Sequence, residues 1–119
     1  MQTDELRDLI LKTLDDMKAL DVKVLDVRGK TSITDLMIIA SGTSNRHVAS
    51  IAETVAYKAK EVGETPLGTE GLKEGEWVLV DLNDVVIHVM QTKVRDFYQL
   101  ERLWDLDTPA NDTPSVKRQ

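Results

Sequence analysis

The sequence has no cysteine. Disulfide frameworks, zinc fingers, iron–sulfur clusters and thiolate catalysis are therefore excluded. It also lacks any long apolar stretch. The longest run, Leu36 to Ala40, is far too short for a transmembrane helix or the core of a secretory signal. Basic charge is in deficit: 15 Lys and Arg stand against 21 Asp and Glu, a net charge of −6. Gripping nucleic acid through its phosphates needs the opposite balance, so sequence-specific nucleic-acid binding is not expected. There is no Gly-Lys-Ser/Thr phosphate loop, no G-x-G-x-x-G turn, no nucleophile elbow and no internal repeat. These absences leave a soluble protein of the cytoplasm, with no membrane partner.

What is present is an ordinary globular balance, 41% hydrophobic and 30% charged in 119 residues, which suits one domain with one core. Thr3 reads as an N-cap with Asp4 and Glu5 in the first turn. Leu6, Leu9, Ile10, Leu14 and Met17 then trace an amphipathic helix to about Leu20. Val22 to Val27 reads as a strand, Arg28 to Thr31 as a turn, and Asp35 to Ser41 as a strand buried on both faces. Ser41-Gly42-Thr43-Ser44 ends that strand, and Thr43 or Ser44 is placed to cap a helix whose inward face runs from Val48 to Val62 and which stops at Gly63. A loop with a short extended piece follows through Pro66, Gly68, Gly71 and Gly75. Glu76 to Leu82 and Val85 to Gln91 are strands joined by Asn83-Asp84, the size of a tight hairpin turn. Val94 to Trp104 is a last helix. The expected fold is α/β (α+β), a mixed β-sheet packed with helices. It forms a single domain over residues 1–105, with a disordered tail over 106–119.

The hairpin carries the most information. With Asn83-Asp84 as the turn, Leu82 pairs with Val85, Val80 with Ile87 and Val78 with Val89, and alternation puts all of them on one core face. The other face sets Trp77 against Met90, Leu79 against His88 and Asp81 against Val86. That mixture suits a binding surface better than a dry core. Helices covering both faces, with Trp77 simply buried, is the competing reading.

No catalytic constellation assembles. His47 and His88 lie on different elements, and Asp81 and Asp84 stand across a turn from each other, so no metal pair is expected. The Ser41-to-Ser44 turn before a helix is a weak anion-binding signal. No catalytic, cofactor-binding or metal-binding residue is assigned, and no cofactor.

The segment Asp35-Leu-Met-Ile-Ile-Ala-Ser-Gly-Thr-Ser-Asn-Arg-His-Val48 closely resembles the signature of the ribosomal silencing factors, the Iojap or RsfS family. So do Glu70-Gly71, Gly75-Glu-Trp-Val-Leu-Val-Asp81, Val86-Ile-His-Val89 and Arg95-Asp-Phe-Tyr-Gln-Leu-Glu-Arg-Leu-Trp104. The resemblance implies a nucleotidyltransferase-like fold without the catalytic acids. It implies a non-enzymatic translation repressor that binds the large ribosomal subunit through its protein of the L-fourteen type, blocks joining of the small subunit and lowers translation when nutrients are scarce. The partner-binding residues it implies are Glu70, Trp77, Leu79, Asp81, His88, Met90, Arg95, Tyr98 and Glu101. Two other readings stay open: a divergent nucleotidyltransferase using the Ser41-to-Ser44 turn, and a homodimer formed through Trp77 and its neighbours.

Overall fold

In the computed structural model, which describes residues 2–32 and 34–98 (backbone only at 97 and 98), the first apolar stripe folds as α1 (Thr3–Asp16) and buries Leu6, Ile10 and Leu14. The helix differs from expectation at both ends. Gln2 rather than Thr3 is the N-cap, and its N–H donates to Glu5 Oε1 at 3.0 Å. The helix stops at Asp16, short of Leu20, because Lys18 turns into the left-handed region at φ +60°.

Leu20 instead opens β1 (Leu20–Asp26), an edge strand with an irregularity between Leu20 and Lys23 where Asp21 takes φ +49°. In β2 (Leu36–Gly42) every residue is buried, as its unbroken apolar run predicts. Ser44, not Thr43, caps α2 (Asn45–Glu61): its Oγ accepts the His47 N–H at 3.1 Å. The short extended piece is β3 (Gly68–Glu70), and the hairpin strands are β4 (Trp77–Asp81) and β5 (Val85–Gln91). The last helix, α3 (Thr92–Tyr98), starts directly after β5, two residues before Val94. Its expected continuation to Trp104, with Glu101, and the expected tail 106–119 lie outside the described residues.

The five strands form one mixed sheet in the order β1-β2-β5-β4-β3, with β2 and β5 parallel and the other pairs antiparallel. Helices α1 and α2 pack on one face. There Leu6, Ile10, Leu14, Val48, Ile51 and Val55 meet Ile38, Val78, Val80, Ile87 and Val89 in the main core. A smaller cluster fills part of the opposite face, where Leu25, Val27, Met37, Ile39 and Met90 are buried with Trp77 and Val94 against them. The result is a single α+β domain, three helices on five strands.

Two of the expected contact residues are buried by this packing. Met90 has no exposed surface: it lies in the buried outer-face cluster with Ile39, and Val94 of α3 packs against that cluster. Arg95 is only 8% exposed. Its Nη1 donates inward to the Asp21 carbonyl and to Ser41 Oγ, pinning α3 to β1 and β2. Both lie at the closed end of the outer face.

Candidate functional site

The hairpin register places the remaining candidates on one face. Trp77 pairs with Met90, Leu79 with His88 and Asp81 with Val86, while β3 sets Glu70 beside Leu79. Alternation therefore aligns Glu70, Leu79 and His88 in one row across three strands, with Trp77 on one side and Asp81 and Val86 on the other. Trp77, Leu79, Asp81, Val86 and His88 are each half-buried, and Glu70 is exposed. The face is covered at the Met90 end and open at the β3–β4 end. Tyr98 has only its backbone described and Glu101 lies outside the described residues.

The hairpin's own turn sets the position of Asp81. Asn83 takes φ +75°, and the Asp84 N–H closes a γ-turn on the Leu82 carbonyl at 3.0 Å. Asp81 Oδ1 accepts the Asn83 N–H at 2.8 Å, a bond natural to an aspartate beside a turn. One carboxylate oxygen is thus taken up locally, and the side chain is held at the rim of the face.

Trp77 and His88 interact diagonally across the hairpin. The indole Nε1–H donates to His88 Nδ1 at 2.9 Å, and the ring centroids lie 5.8 Å apart at a 54° tilt. This contact escapes simple pairing, which puts Trp77 opposite Met90. The signal that finds it is the reach of a large aromatic to the residue two places along the partner strand. Burial lowers the His88 pKa from 6.5 to about 4, since a half-covered imidazole resists taking a charge. The ring is neutral near pH 7, with its proton on Nε2.

The Ser41-to-Ser44 turn is occupied by its own structure. The Thr43 N–H donates to His47 Nδ1 at 2.9 Å, and His47 Nε2 bonds the Met17 carbonyl at 2.8 Å, tying the start of α2 to the end of α1. At Gly42 a Cβ would lie 2.8 Å from Val48 Cγ2, so the glycine serves the close approach of α2 to β2. Ser41 Oγ is engaged by Arg95. Among the described residues, no group of three or more His, Asp or Glu side chains could hold a metal ion, and no helix is long and apolar enough to cross a membrane.

Comparison with known proteins adds the following. A family model described as "Ribosomal silencing factor during starvation" matches residues 1–119. The chain is 44% identical over 110 residues to the ribosomal silencing factor RsfS of Chromobacterium violaceum, covering 92% of this chain and 90% of that one. A crystal structure of a Chromobacterium violaceum protein superposes with a TM-score of 0.87 at 43% identity, covering 98% of both chains. A mouse protein named "Mitochondrial assembly of ribosomal large subunit protein 1" is 33% identical over 102 residues, 83% of this chain and 45% of that one.

Proposed function

The chain belongs to the ribosomal silencing factor family, whose members act without catalysis, and we propose that it silences ribosomes by seating the outer face of its β4–β5 hairpin on the large subunit. The partner there is the ribosomal protein of the L-fourteen type, and the bound protein stands where the small subunit would join. Trp77, Leu79, Asp81, His88 and Glu70 make the contact, with Tyr98 and Glu101 as its flank. Met90 and Arg95 close one end of the face. The protein works in the cytoplasm.

One observation carries this reading. The face holds a half-buried Trp, Leu, Val and His bordered by Asp81 and exposed Glu70, the apolar centre and polar rim of a protein–protein interface. The acidic border and the −6 net charge suit a basic ribosomal protein by electrostatic complementarity. The mouse relative's name supports the choice of the large subunit.

Co-sedimentation with purified large subunits, and with the isolated L-fourteen-type protein, tests the reading. Binding to both, and competition between the free ribosomal protein and the subunit, is the expected result. Binding to neither at micromolar concentration contradicts it. A concentration-dependent dimer that persists while subunits are ignored would assign the face to a second copy of the chain.

A further inference from the structure

The rings of Trp77 and His88 are joined by a hydrogen bond, and its direction bears on recognition. Indole nitrogen only donates, so His88 Nδ1 must be the acceptor, at 2.9 Å. A neutral imidazole accepting at Nδ1 carries its proton on Nε2. Among the described residues His88 makes no other hydrogen bond, so the Nε2–H is a donor with no acceptor of its own. It belongs to a half-buried ring in the central row of the proposed contact face, between Ile39 on β2 and Leu79 on β4.

We propose that Trp77 is a positioning residue for His88: the indole fixes the imidazole tautomer, and the Nε2–H it leaves without an acceptor is the donor by which this face captures a carbonyl oxygen of the bound ribosomal protein. This rests on the proposed function, because it takes the face as the contact surface. A carbonyl is the matching acceptor for two reasons. The ring is neutral and donates without charge. The border of Asp81 and Glu70 repels a carboxylate and leaves a carbonyl of a basic protein acceptable. If the complex covers His88, the Nε2–H must find such an acceptor, since a buried donor left unpaired weakens association. Without the indole N–H the two neutral tautomers exchange, and in one of them Nε2 is an acceptor that cannot bond the partner's carbonyl.

The test uses the full chain and purified large subunits. Long-range proton–nitrogen NMR on ¹⁵N-labelled protein reads the tautomer directly, and the wild type should give an unprotonated Nδ1 and a protonated Nε2. Trp77→Phe keeps an aromatic ring and removes the donor. It should mix the tautomers and weaken subunit binding by roughly tenfold. His88→Leu should weaken binding as much, whereas His88→Gln, whose amide can place a donor near the Nε2 position, should recover most of the loss. Leu79→Glu separates this inference from the reading beneath it. If Leu79→Glu abolishes binding while Trp77→Phe and His88→Leu bind like wild type, the face is right and the donor role is wrong. If Leu79→Glu also binds like wild type, the contact lies elsewhere and both ideas fall. A wild-type Nδ1–H tautomer overturns the inference outright. Should His88→Leu fail to fold, the tautomer and affinity of Trp77→Phe decide alone.

Discussion

Trp77 and Met90 sit opposite each other on one hairpin, yet their substitutions should fail in different ways. Met90 is fully buried in the outer-face cluster, so Met90→Ala leaves a cavity and should cost about 2–5 kcal/mol of stability. Trp77 is only half-buried, at the margin of that buried cluster. Trp77→Ala should leave the domain folded and weaken large-subunit binding at least roughly thirtyfold. Urea unfolding and co-sedimentation on the same two variants separate the roles. His88 adds a pH signature. Its folded pKa of about 4 lies below the unfolded 6.5, so between those values the unfolded chain takes up a proton that the folded chain refuses. Stability from this group is complete above pH 6.5 and is lost as pH falls towards 4. The urea midpoint of wild type should therefore drop more steeply over that range than that of His88→Gln, and equal slopes would place the imidazole in solvent.

At the scale of elements, the glycines and caps decide how firmly the hairpin is held. Gly71 has φ +89°, and a Cβ there would lie 2.2 Å from the Trp77 carbonyl oxygen, so the loop grips the first residue of β4 at backbone level. Gly29 has a similar φ of +79° with open space around it. Gly29→Ala should cost only the left-handed strain, about 1–2 kcal/mol. Gly71→Ala should cost more, on the order of 3 kcal/mol, and should also weaken subunit binding by shifting Trp77. Equal losses in thermal unfolding would contradict this account. At the start of α2, Ser44→Ala should remove about 1 kcal/mol of capping and leave subunit binding unchanged.

The strands and the hairpin register were legible because period-two alternation around Asn83-Asp84 allows only one pairing that buries Val78, Val80, Ile87 and Val89 together. The two-sided burial of β2 was legible from its apolar run. What the pattern could not carry was tertiary. The early stop of α1 depends on Lys18 taking a left-handed turn, which lysine does not advertise. The inward course of Arg95 depends on a carbonyl freed at the Asp21 irregularity and on Ser41, distant in sequence. Met90 reads like a surface thioether until α3 is placed directly after β5. For the site, the face was legible from the hairpin, and the Trp77–His88 bond was not, because it runs diagonally to the strand pairs.

Over the whole molecule, one sheet faces two ways. Its inner face is sealed by α1 and α2 and supplies the stability, and its outer face is closed at one end by Met90, Ile39 and Arg95 and left open at the other. The chain's net charge of −6 should make its association with large subunits faster at low salt. The rate should fall as salt is raised towards physiological strength and beyond, while dissociation changes little. Stopped-flow association at several salt concentrations measures this, and a rate indifferent to salt would remove charge complementarity from the account. The central claim is that the open outer face blocks subunit joining, and its most direct measurement is light scattering of small subunits mixed with large subunits already incubated with the protein. Wild type should suppress joining in proportion to its occupancy, and Leu79→Glu, folded to the same degree, should restore it. Joining that proceeds unhindered on large subunits saturated with wild-type protein would contradict the claim.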